Sequence, residues 1–158
     1  MTSAPVAPTC DTRRAGALEE EIHLAILRVA ALFEHAVGQA LKPYDITQTQ
    51  YNVLRILRGK SPDGYARGDI ASRMIDRAPD VTRLIDRLER RGLVERMRSD
   101  SDRRLSLTCI TRKGLNLLAK LDPGIDAIDE RITEKMSARD LKALSRLCER
   151  VYGVDLTA

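Results

Sequence analysis

Between Ala17 and Leu41 the apolar residues Leu18, Ile22, Ile26, Val29, Phe33, Val37 and Leu41 recur at steps of three and four. That spacing places them on one stripe of an α-helix. The predicted helix is about 25 residues long, twice the ~11–12 usual in globular proteins. Ala25, Ala30, Ala36 and Ala40 are interleaved with it. A chain of 158 residues has room for one ordinary domain and its core. A stripe this long is hard to cover from within so small a domain. A second copy of the chain is the expected cover, and an ordinary core helix is the other reading. Pro43 ends the helix, since proline cannot continue the backbone ladder.

Thr47-Gln48-Thr49-Gln50 has capping-box spacing and predicts a second helix with Tyr51, Val53, Leu54, Ile56 and Leu57 inward. Ser61-Pro62-Asp63-Gly64 is a turn. A short helix follows from about Gly68 to Met74. Asp76 is the expected cap of the next helix, with Pro79 tolerated in its first turn because no intrahelical partner awaits its amide there. That helix turns Val81, Leu84, Ile85 and Leu88 inward and stops at Arg91-Gly92, where glycine supplies a left-handed exit. Two strands, Leu93 to Met97 and Leu105 to Ile110, flank a polar, arginine-rich turn. Short helix, turn, helix and hairpin together predict a helix-turn-helix with a two-stranded β-hairpin wing. Thr111 caps a further helix, which Asp122-Pro123-Gly124 is expected to break or kink. The helical pattern resumes at Ile125, Ile128 and Ile132, and Ser137 with Asp140 starts a last amphipathic helix carrying Leu141, Leu144, Leu147 and Val151. The fold class is mainly α (α+β).

The net charge of +4 leans towards an anionic partner. Aromatic residues make up only 3% of the chain, with no Trp, which argues against a base-stacking platform. From Arg67 to Arg104 all eleven cationic residues are arginine, but eight carboxylates leave that span only at +3. High-GC codon usage would also enrich arginine, so arrangement has to carry what net charge does not. On the reading helix, Arg77, Asp80, Thr82, Arg83 and Arg87 lie off the inward stripe. A recognition helix sends its N-terminal half towards base edges, where Arg can bind guanine bidentately and Thr can touch a base or phosphate. The competing reading pairs Arg83 and Arg87 with Asp80, Asp86 or Glu89 on a solvated face. In the hairpin, Asp102, Arg103 and Arg104 sit where the turn re-enters its strand. A wing beside a recognition helix overhangs the minor groove, whose negative potential attracts inserted arginine.

"VTRLIDRLERRGLVER" (81–96), "DRR" (102–104) and "LTCITRKG" (107–114) together resemble the MarR (multiple antibiotic resistance regulator) family, over roughly residues 18 to 151. The resemblance implies a homodimer formed by the terminal helices, binding a pseudo-palindromic double-stranded DNA operator through two winged lobes. It implies Arg104 as the minor-groove arginine, release by a small phenolic or anionic effector, and a role as transcriptional repressor. Two departures stand out: Arg67-Gly68 replaces a Ser or Thr cap, and Pro123 interrupts a helix that the family keeps continuous.

The expected organisation is a flexible tail at 1–14, a helical dimerisation region at 15–46 and 112–158, and a winged helix-turn-helix at 47–111. Tyr44 and Tyr51 are weak candidates to line an effector site, alongside plain packing. No metal-ligand spacing links His23 or His35 to Cys or Glu, so neither metal nor cofactor is expected. Cys109 and Cys148 read as small buried hydrophobes, and Cys10 lies in the tail, leaving a thiol-based oxidant sensor as an alternative. No nucleophile–base set or phosphate loop points to an enzyme. A protein–protein module built on the same winged helix is the rival of another class. No apolar run reaches the ~20 residues of a membrane helix, and no signal peptide is visible. Three widely spaced cysteines fit a reducing cytoplasm.

Overall fold

The computed structural model describes residues 17–75, 80–98 and 106–153. Its elements are α1 (Ala17–Leu41), a 3-10 turn (Lys42–Tyr44), α2 (Gln48–Arg58), β1 (Tyr65–Ala66), α3 (Arg67–Arg73) and α4 (Val81–Arg90). These are followed by β2 (Val94–Arg98), β3 (Ser106–Ile110), α5 (Arg112–Thr133) and α6 (Ala138–Tyr152). The chain divides into two compact units, residues 1–35 and 36–158.

The first unit, as far as it is described, is the N-terminal part of α1. Leu18, Ile22, Ile26 and Val29 are exposed, and so are Leu24, Leu27 and Leu32 from other faces of the helix. One stripe had been expected; the helix is apolar over more than one face. As a result the stretch Leu18–Tyr44 is long and apolar enough, by length and composition, to cross a membrane, contrary to the sequence expectation.

In the second unit the core gathers α2, α3, α4, the wing base and α5 around Leu54, Leu57, Ile70, Leu88 and Leu118, all fully buried. Local chemistry starts each helix. The Thr47 hydroxyl accepts the Gln50 amide at 3.2 Å while Gln50 Oε1 accepts the Thr47 amide at 3.0 Å. Ser137 and Asp140 form the same box at α6, and the Thr111 hydroxyl caps α5 by accepting the Gly114 amide at 3.2 Å. Gly92 takes the left-handed exit of α4 with φ 69°. The same helix begins later than expected: Asp80, not Asp76, is the N-cap of α4, its Oδ1 accepting the Arg83 amide at 3.3 Å. Asp76 and Pro79 lie outside the described residues.

Two further differences are tertiary in origin. The wing sheet has a third strand, in the order β1-β3-β2 and antiparallel, with Tyr65 opposite Thr108 and Val94 opposite Ile110. Gly64 permits that pairing, for it sits at φ 74° and a Cβ there would lie 2.4 Å from the Thr108 carbonyl oxygen. Secondly, α5 runs unbroken through Pro123. Leu118, Leu121 and Ile125 are buried on both sides of the proline, so packing of one continuous face outweighs the ~3 kcal/mol that an interior proline costs a helix. Asp122 adds a tie, since Arg58 Nη1 of α2 donates to both of its oxygens at 3.0 and 2.7 Å. The last helix, α6, turns Leu144 (44%), Leu147 (55%) and Val151 (58%) to solvent.

Candidate nucleic-acid interface

The functional surface grows from the two-sidedness of α4. Val81, Leu84, Ile85 and Leu88 are buried, which leaves Thr82, Arg83, Arg87 and Arg90 exposed. Capping fixes the start of this face. Asp80 holds the Arg83 amide through one oxygen, and its other oxygen lies 3.1 Å from Arg83 Nε. Arg83 is therefore both exposed and paired. An exposed helical pair of this kind contributes roughly 0.2–0.5 kcal/mol, so a better anionic or hydrogen-bonding partner displaces it at little cost.

Arg87 makes no ion pair among the described residues. Its expected partners, Asp86 and Glu89, are both bonded by Arg96 of β2. The hydrogen bond that its guanidinium donates to Asp86, reinforced by the charge of Glu89, holds Arg96 more firmly protonated than usual. Arg96 thereby joins the first wing strand to the outer flank of α4, setting the hairpin against the helix. Sequence reasoning missed this role. Arg96 was visible as a strand cation, but its partners lie seven and ten residues away on another element.

A second missed feature is a solvent-open cleft of about 630 Å³ at the exit of α4, lined among others by Lys42, Asp45, Gln48, Arg87, Arg90 and Arg91. Arg90 follows Arg83 and Arg87 at helical spacing, a signal present in the sequence; Lys42 arrives from another part of the chain. Arg77, Asp102, Arg103 and Arg104 lie outside the described residues. Tyr44 is half-buried, and its carbonyl accepts a bond from Arg91 Nη2 at 2.9 Å. Tyr51 is buried on α2, and that burial pushes its hydroxyl pKa up. Neither tyrosine lines the cleft.

The cysteines divide. Cys109 is buried, and desolvation raises its thiol pKa, which lowers the thiolate fraction that oxidants attack. Cys148 is exposed, not buried as expected, because α6 presents that face to solvent. Among the described residues no group of His, Cys, Asp or Glu could hold a metal ion.

A helix-turn-helix whose second helix is apolar inside and arginine-rich outside, with a hairpin stapled beside it, is a winged-helix DNA-binding fold. The MarR family model matches residues 46–106. A MarR transcription factor from Planctomyces limnophilus is 37% identical, over 86% of this chain and 98% of that one, with a TM-score of 0.64. CouR from Rhodococcus jostii RHA1, bound to p-coumaroyl-CoA, is 25% identical over 91% of this chain and 100% of its own, with a TM-score of 0.76. The transcriptional repressor CouR bound to a 23-mer DNA duplex is 28% identical over 90% and 99%, with a TM-score of 0.74. The chain belongs to the MarR family. It is a transcription regulator and not an enzyme.

Proposed function

We propose that the chain is a homodimeric repressor that acts in the cytoplasm. It binds a pseudo-palindromic double-stranded operator through two winged lobes and leaves it on binding a small phenolic or anionic effector. The observation that carries this reading is the exposed Arg83, Arg87 and Arg90 stripe on a helix whose opposite face is locked in the core. In this reading residues 47–111 form the DNA-binding region and residues 15–46 with 112–158 form the dimer stem. A second copy covers the exposed leucines and isoleucines of α1 and α6. Arg77, Asp80, Thr82, Arg83 and Arg87 serve the major groove, while Asp102, Arg103 and Arg104 serve the minor groove beside it. The DNA-bound and p-coumaroyl-CoA-bound relatives support operator binding and effector release. Tyr44, half-buried at the corner between α1 and α2, suits an effector contact better than Tyr51.

Arg83→Ala is expected to cost about 1–3 kcal/mol on the specific site and to relax preference at one position in each half-site. The check is a competition titration of operator against random duplex. Equal losses on both would remove Arg83 from the base-reading set.

Arg104→Ala should weaken binding most on operators with A·T-rich flanks, whose narrow minor groove carries the deeper negative potential. Asp102→Ala should lose less, through misplacement of the arginine. Titrations of two operators that differ only in flank composition decide the matter. The same loss on both flanks would reduce the wing to a phosphate contact.

A further inference from the structure

Base reading does not account for the cleft at the exit of α4. Lys42, Arg87, Arg90 and Arg91 converge there against one carboxylate, Asp45. Arg91 is occupied: its guanidinium donates to the carbonyl oxygens of Tyr44, at 2.9 Å, and of Asp45. Its own carbonyl accepts Lys113 Nζ at 2.7 Å. Arg91 thus pins the corner between α1 and α2 onto the end of α4. Asp45 lies 3.9 Å from Arg91. Lys42, Arg87 and Arg90 make no ion pair among the described residues.

We propose that this cleft seats a backbone phosphate of the bound duplex, held by Lys42 and Arg90 beside Arg87, and thereby sets the register of α4 in the major groove. The proposal rests on the operator-binding reading above. Arg83, Arg87 and Arg90 fall at steps of four and three, on one stripe of the helix. From Arg83 to Arg90 the helix rises about 10 Å, close to the ~12 Å width of the major groove. A helix that brings Arg83 to base edges therefore carries Arg90 towards the groove wall, where phosphates run. Lys42 belongs to a different element, so the cationic cluster is assembled by the fold and is more than the solvated face of one helix. The cleft also lacks the enclosure of a small-molecule pocket. It is open to solvent and joined to the reading face through Arg87.

The test compares the full-length protein with its Lys42→Ala and Arg90→Ala variants, on operator and on random duplex, across a salt series. Each variant should lose affinity by the same factor on both duplexes. The slope of log K against log salt should become shallower by about 2, one contact in each lobe of the dimer. Between 50 and 200 mM salt a variant should therefore lose about tenfold less affinity than the wild-type chain. Lys42→Arg and Arg90→Lys keep the charge and should keep the slope. A steep slope in the wild type that both alanine variants retain would overturn the clamp and leave operator binding standing. So would a loss confined to the operator, or an effect only on competition by inorganic phosphate. If the wild-type chain binds no duplex at all, operator binding and the clamp fall together.

Discussion

Leu147→Asp, and likewise Leu144→Asp, should abolish the proposed dimer and its operator binding together. Both leucines are exposed on α6 of the single chain, in line with Val151. Burying a leucine contributes about 1.5–3 kcal/mol, and in a two-fold dimer each substitution acts twice. Roughly 3–6 kcal/mol is then lost before the desolvation of two carboxylates is counted. That is at least a ~100-fold rise in the dimer dissociation constant. Light scattering at micromolar concentration should give twice 17.7 kDa for the wild type and a lower mass for the variants. Because interface and core are inseparable in an obligate dimer, thermal stability should fall as well and depend on concentration. A variant that keeps the dimer mass and the wild-type affinity for DNA would remove α6 from the interface.

Gly114→Ala should destabilise the fold, while Gly124→Ala in the same helix should stabilise it. A Cβ at Gly114 would lie 2.3 Å from the Leu93 carbonyl oxygen and 2.7 Å from Ile110 Cγ1. That oxygen already accepts the Thr111 amide at 3.1 Å, so it cannot retreat without opening the base of the wing. Overpacking costs about 1–3 kcal/mol, at the upper end where one wall is backbone. Alanine gains ~1 kcal/mol over glycine inside a helix, which leaves a net loss of about 2 kcal/mol. At roughly 2–4 °C per kcal/mol, Tm should drop by about 4–8 °C. At Gly124 a Cβ meets nothing within 4 Å. Only the propensity gain of ~0.5–1 kcal/mol remains there, and Tm should rise by a few degrees. Thermal unfolding of both variants at one protein concentration checks the pair. Equal midpoints would show that the seam between α5 and the wing base is looser than the distances imply.

Features resting on near neighbours in sequence were legible. The bounds of α1 follow from its apolar steps and Pro43. The Thr47–Gln50 box, the Thr111 cap and the Gly92 exit follow from groups within four residues of one another. The Arg83 and Arg87 face followed from the same periodicity, and its extension to Arg90 was available to it. Where two local signals competed, the reading slipped. Both Asp76 and Asp80 can cap a helix, and the cap fell to Asp80, from which the spacing to Val81, Leu84, Ile85 and Leu88 runs inward.

By itself, then, the sequence determined the order of the helices, the inward faces of α2 and α4, the winged helix-turn-helix and an arginine-rich outer face on α4. All of these depend on backbone periodicity and on hydrogen bonds that close within a turn. Only the tertiary structure decided that Pro123 leaves α5 whole, that two residues at Tyr65 pair as a third strand, and that Arg96 takes Asp86 and Glu89 away from Arg87. It also bonded Arg58 to Asp122 and set Lys42 and Arg90 on the walls of one cleft. The reason is physical: a charge bonds whichever partner packing brings within about 3 Å, and distance along the chain says nothing of that until the core has closed.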